Sequence, residues 1–245
     1  MTTGLLLLHG SSGVPHLDRA AVFEALGVDV IAPTWFGPEG VREIALESFG
    51  VHLDALASRV DRVAVMGTSK GAEAALLLGT IDPRIDVVIA AAPTSHVWAG
   101  VGPGDAGRRS SWTWQSRPLP FVSYVDGWTP ADPSYPSFTE VYVESLRACV
   151  DSEAAEIPAE RFAGELILIA GGDDHVWPAA DFARHLGVRR PSTRTVIGED
   201  AGHRVILPGE KPSGLGANLD RGGTPEADRA LGELAWPIIR TALHI

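Results

Sequence analysis

The chain is poor in several features that would have assigned it quickly. It has one cysteine in 245 residues, Cys149, so no internal disulfide can form and a reducing cytosol is the simplest compartment. Cys149 lies in a helical-looking segment without a partner motif and is read as a small buried apolar residue. No apolar run reaches the roughly 18 residues of a membrane span. "LLLLHG", near the start, is too short for a signal peptide and lacks a basic flank. Basic residues are also scarce: 20 Lys and Arg against 31 Asp and Glu leave a net charge of −11. A nucleic-acid partner needs a basic face, so that class is excluded. No cofactor is expected, and no metal. What remains is a chain, expected to be soluble and cytoplasmic, acting on a small molecule.

With 45 % hydrophobic and 21 % charged residues, a large core is affordable. Short apolar runs alternate with helical patterns: "GLLLLHG", a helix near 16–26, "VDVIAPT", a helix over 39–60, then "RVAVMG" and a helix near 71–79. "IDVVIAAAP", "ELILIAGG" and "STRTVIG" follow as strands, and a last helix is expected over 224–243 with Pro225 in its first turn. Strands so continuous in Val, Ile and Leu are buried on both faces, as in a parallel sheet between helices. The expectation is one α/β domain over 1–245, doubly wound, with a mostly parallel sheet. One interval breaks the rhythm. Residues 93–136, after the fourth predicted strand, are rich in Pro, Gly and Ser and hold four of the seven tryptophans. Rings of that size must cover something, so the segment is read as a cap over the carboxyl edge of the sheet. Trp112, Trp114 and Trp128 are its candidate substrate-binding residues.

The chemistry is carried by "MGTSKGAEAALLLG". Gly67-Thr68-Ser69-Lys70-Gly71 fits G-x-S-x-G between an apolar strand and a helix, the context of a nucleophile elbow. A serine there needs a base, and the base an orienting carboxylate, in the chain order Ser, acid, His. "ELILIAGGDDHVWP" ends a strand on Asp173 and Asp174; Asp174 begins D-x-x-x-P, and Asp173 is the reserve. Of the histidines, His9 and His16 precede the serine, His52 and His185 sit in helical patterns, His175 adjoins the acid and His244 is at the tail. His203, on the loop after the last predicted strand, is the candidate base. H-G-x-x-G after the first strand supplies an oxyanion hole: the Lys70 amide with that of Ser11, or alternatively Ser12. His9 is expected to hydrogen-bond locally. The Lys70 side chain is read either as favouring an anionic substrate or as solvated.

Together with "SSWTWQSRPLPFV", "IPAERFAGELILIAGGDDHVWP" and "GGTPEADRALGELAWPIIRTAL", these motifs give the chain its likeness. It resembles the α/β-hydrolase superfamily and, within it, the C-terminal catalytic domain of the acyl-CoA thioesterase / bile acid-CoA:amino acid N-acyltransferase family. The resemblance runs from about Gly4 to the C-terminus. It implies an α/β-hydrolase fold, a Ser69, Asp174, His203 triad, and hydrolysis or transfer of an acyl thioester through an acyl-enzyme. Three features depart from the pattern. The chain begins at the hydrolase strand without the family's usual N-terminal β-sandwich. Its elbow carries Ser where the amino-acid transferases have Cys, which favours water as acceptor. "RVILPGEKPSGLGANLD" also differs from the expected aromatic, proline-rich stretch. The expected reaction is therefore cleavage of an acyl-CoA or acyl-carrier thioester. The alternatives are a carboxylesterase or dienelactone-hydrolase-like enzyme, and a non-catalytic hydrolase-fold binding protein. For a CoA substrate, Lys70, Arg108 and Arg109 are the basic residues expected to offset the acidic chain.

Overall fold

A computed structural model describes residues 1–211 and 218–245. Part of the departing stretch after His203 thus lies outside the described residues. Nine strands (β1 Thr3–Leu8, β2 Asp29–Ile31, β3 Ile44–Ala45, β4 Arg62–Thr68, β5 Ile85–Ala91, β6 Trp112–Trp114, β7 Arg117–Pro118, β8 Glu165–Gly171, β9 Arg194–Gly198) are described. With them are six α-helices (α1 Leu17–Glu24, α2 Gly50–Ala57, α3 Lys70–Ile81, α4 Thr139–Ala148, α5 Ala179–Arg189, α6 Pro225–Leu243). Six strands form one parallel sheet in the order β2-β1-β4-β5-β8-β9.

The apolar strands explain the layers. Side chains alternate across a strand, so Leu6 and Leu8 of β1 enter one core and Leu5 and Leu7 the other. The first core gathers α2, α3 and α5; the second gathers α1 and α6. The last helix starts as expected: Thr224 Oγ1 accepts the Ala227 amide at 3.1 Å and Pro225 opens the first turn. Cys149 is half-buried at the end of α4 and packs against the first core. Among the described residues, no helix is long and apolar enough to cross a membrane.

The helix expected over 39–60 is a correction. Only Gly50–Ala57 is α-helical, after one 3-10 turn at Leu46–Phe49. Upstream, the amides of Val41, Glu43 and Ile44 donate to the carbonyls of Val101, Ser110 and Ser111, each at 2.8 Å. β3 then pairs with β6, and β6 with β7, in a small second sheet. Partners this remote in sequence override the local helical spacing. The 93–136 segment is stitched to the body by these bonds, and its first eight residues, 93–100, are buried.

Candidate active site

β4 ends at Thr68 and α3 begins at Lys70, leaving a single residue to reverse the chain. Ser69 takes φ 57°, ψ −120°, a left-handed geometry that costs a non-glycine residue on the order of 1–3 kcal/mol. The turn closes because its glycines carry no Cβ. A methyl at Gly67 would stand 1.9 Å from the Gly71 carbonyl oxygen, and one at Gly71 2.4 Å from that of Leu8. Both are backbone collisions, so Gly71→Ala is expected to leave little soluble folded protein, checked by expression yield and circular dichroism. The Ser69 amide donates to Ala91 O (2.9 Å), fixing the elbow to the end of β5.

The carboxyl ends of the neighbouring strands bring up the other groups. After β8, the amides of Gly172 and Asp173 donate to Gly198 O (2.9 Å) and Ala201 O (3.0 Å), so the β8 and β9 loops travel together. Asp174 is 5 % exposed. Its Oδ1 accepts the amides of Val176 (2.8 Å) and Trp177 (3.2 Å), which turns Oδ2 toward His203 Nδ1 at 2.7 Å. His203 is held from behind, its amide donating to Arg221 O (2.8 Å), while Trp177 lies edge-on to the imidazole at 5.8 Å. Ser69 and His203 line one cavity of about 690 Å³. Ser11, Ser12 and Lys70 line it too, and a Cβ at Gly10 would stand 3.3 Å from that of Ser69.

Asp173, the reserve acid, is spoken for elsewhere. Its Oδ1 lies 3.1 Å from His175 Nε2 and its Oδ2 accepts the Gly223 amide at 2.9 Å. His175 Nδ1 meets Asp220 Oδ2 at 2.7 Å, so the imidazole clasps the acid loop to the segment after 218. That bond, chiefly to Asp220, raises the His175 pKa. The Gly222 amide and then His175 lower that of Asp220. The imidazole's contribution is complete below its unfolded pKa and fades as pH rises through the raised value. The carboxylate's is complete above its unfolded pKa and fades as pH falls through the lowered one. A scan from about pH 4 to about pH 9 should show the Tm gap between wild type and His175→Gln widest between those two titrations and shrinking on either side.

Several expected roles are corrected. The Lys70 ammonium is neither solvated nor turned to a substrate: it is buried against Glu73 Oε2 (2.8 Å), Ser111 Oγ (2.8 Å) and Ala99 O (3.2 Å). Trp112 is fully buried, its indole donating to Glu73 Oε1 (2.8 Å) and stacking on Trp35. Trp114 packs in the small sheet, and neither belongs to the cavity lining; of the three tryptophans only Trp128 does. Arg109 pairs with Glu43 and Asp105, both at 2.8 Å, and the exposed Arg108 lies 3.9 Å from Asp126. His9 bonds locally as expected, Nδ1 donating to Gly10 O at 2.7 Å.

The lining also holds residues that the sequence reading passed over. Phe138, Val141, Tyr142 and Trp177 join Trp128 in an apolar wall. Arg19 is 3 % exposed and spans three parts of the site: Nη1 donates to Thr68 Oγ1 (3.0 Å), Nη2 to Val205 O (2.6 Å), and Glu210 pairs with it at 3.0 Å. It ties the elbow to the histidine loop. No local signal marks such a residue, because its partners lie 49 to 191 positions away.

The sequence matches no family model and no curated protein. Solved structures do match. One is the pyrethroid hydrolase from Sphingobium faniae JZ-2, 17 % identical with a TM-score of 0.51 over 99 % of this chain and 98 % of that one. Another is AbyA5, 15 % identical with a TM-score of 0.53 over 99 % of this chain and 64 % of that one. The chain has the α/β-hydrolase fold. Within the hydrolase fold, the carboxyl edge of the parallel sheet is where loops converge on a ligand. Here that edge carries Ser69, Asp174 and His203.

Proposed function

We propose that the chain is a serine hydrolase that cleaves an acyl thioester through an acyl-enzyme on Ser69. The observation that carries this reading is the buried Asp174–His203 bond of 2.7 Å beside a left-handed serine on the same cavity. His203 Nε2 takes the Ser69 proton as Oγ attacks the thioester carbonyl carbon. The amides of Ser11 and Lys70 hold the resulting oxyanion. The C–S bond then breaks, and the thiolate leaves with the proton from His203. Water, deprotonated by His203, attacks the ester, and Ser69 is released with its proton restored. The 93–136 segment acts as the cap, with Trp128 against the acyl chain.

The thioester half of the proposal draws on the motif likeness; the mechanism itself does not require it. An oxygen ester is the second reading, supported by the fold likeness to a pyrethroid hydrolase and by the shared tetrahedral chemistry. A fluorophosphonate probe should label wild type and not Ser69→Ala. Absence of label on folded wild type would leave a non-catalytic binding protein. Turnover of acyl-CoA against matched 4-nitrophenyl esters separates the two substrate classes, and faster cleavage of the esters would replace the thioester reading.

A further inference from the structure

The nucleophile and the base are fastened to different parts of the fold. The elbow is fixed to the end of β5 by the Ser69 amide on Ala91 O. The base rides on the loop after β9, held by Asp174 and by the Arg221 carbonyl. Proton transfer from Ser69 to His203 depends on how those two bodies stand to each other, and about 1 Å of misplacement can cost about 10²-fold in rate.

Arg19 bonds to both. It comes from the first turn of α1, the helix that follows the oxyanion loop, and its side chain is almost wholly buried. Nη1 donates to the hydroxyl of Thr68, the residue before the nucleophile, at 3.0 Å. Nη2 donates to the carbonyl of Val205, two residues beyond the base, at 2.6 Å. Glu210 holds the guanidinium from the other side, Oε2 accepting Nε at 3.2 Å and Nη2 at 3.0 Å. The same Oε2 accepts the Leu207 amide at 3.0 Å, and the Glu210 amide donates to Leu207 O at 3.0 Å, so this carboxylate moves with the histidine loop. Stability alone does not account for such a pair, because apolar side chains of similar volume often serve a buried site as well or better. What a guanidinium adds is a rigid plane of donors, which keeps Thr68 and Val205 at a set separation; an ammonium on a flexible stem does not.

We infer that Arg19, braced by Glu210, is a positioning residue that keeps the histidine loop in register with the elbow for proton transfer from Ser69 to His203. The inference rests on the hydrolase reading and deepens it, by giving the reaction a residue outside the triad. Arg19 borders the cavity, but its Nε and both terminal nitrogens are engaged by the protein. It acts through Thr68 and Val205, so its loss lowers kcat and leaves substrate binding unchanged.

Kinetics on 4-nitrophenyl butyrate test it. Arg19→Lys is the informative change: burial and then the Arg19 charge hold His16 neutral, with a pKa of about 3, and lysine keeps that charge while losing the plane. It should lower kcat about 10- to 100-fold, with KM within about twofold of wild type. Thr68→Val cuts only the strut to the elbow and should lower kcat about tenfold, again at constant KM. Both changes break one bond, so the double variant should fall no more than about twofold below Arg19→Lys alone. Arg184→Gln, at an exposed ion pair on α5, should match wild type. A lower Tm with kcat kept would make the brace a stabilising contact only. A raised KM with kcat kept would make Arg19 a substrate contact, and multiplicative losses in the double variant would uncouple it from Thr68. Each of these overturns the inference. Should Arg19→Lys not fold, Thr68→Val carries the test alone, and an unchanged kcat there overturns it as well. Wild type that neither cleaves the ester nor takes a fluorophosphonate removes the hydrolase reading itself, a result distinct from an active wild type whose variants equal it.

Discussion

Asp174→Asn should cost about 10⁴ in kcat, as the corresponding change does in serine proteases, while Asp173→Asn on the adjacent residue should cost severalfold at most. The difference follows from how the Asp174 carboxylate is held. Its Oδ1 accepts two backbone amides, from Val176 and Trp177, and its Oδ2 faces His203 Nδ1. An asparagine must keep its oxygen toward those amides, because turning it would set an NH2 against two N–H donors. Its nitrogen then faces the imidazole and donates, so Nδ1 must accept and Nε2 must carry the proton. That tautomer cannot take a proton from Ser69. Among the described residues, the Asp173 carboxylate meets His175 and the Gly223 amide and makes no bond to His203. Steady-state kinetics on one cleavable ester, with circular dichroism to establish folding, decide the matter. Ser69→Ala provides the floor, expected at least as low as Asp174→Asn. An Asp174→Asn enzyme retaining a tenth of its rate, or an equal loss at Asp173, would reassign the orienting acid.

That the acid and base could be proposed from the sequence has a physical reason. Both loops follow apolar strands, β8 and β9, that lie side by side in the sheet, so chain order becomes spatial order along one edge. The elbow was legible for a similar reason: only a glycine on each side allows β4 and α3 to meet at Ser69. Legibility fails where partners are remote. Residues 41–44 carry helical spacing but bond to the 101–111 stretch, and nothing near them announces it. The three tryptophans singled out in the 93–136 segment are alike as residues, yet Trp112 is drawn inward by the Glu73 carboxylate and Trp128 lines the cavity. The same blindness applies to Lys70, where an i,i+3 Lys–Glu spacing ordinarily marks an exposed helix face.

Glu73→Ala should therefore be among the most destabilising substitutions in the chain, although it removes a charged helix residue. Glu73 is 0 % exposed and the Lys70 side chain 2 %. Burial pushes the carboxyl up and the ammonium down, and each charge opposes the other's shift. Glu73 Oε1 also accepts the Trp98 amide (2.9 Å) and the Trp112 indole (2.8 Å). One carboxylate thus fastens α3 to the 93–136 segment at two points, Trp98 and Trp112. Alanine would leave a buried ammonium without its counter-ion and two N–H groups without an acceptor. Breaking one side of such a pair costs about 3–5 kcal/mol, or roughly 6–20 °C in Tm for a chain of this size. Lys70→Met alone strands the carboxylate and should cost on the same order. Lys70→Met with Glu73→Gln removes both charges and keeps an oxygen for Trp98 and Trp112, so the double variant should be more stable than either single one. The cycle, read by urea unfolding, should show favourable coupling of more than about 2 kcal/mol, above the range for exposed pairs. Additive losses, or a Glu73→Ala cost below about 1 kcal/mol, would mean that the pair is solvated in solution and does not anchor the segment.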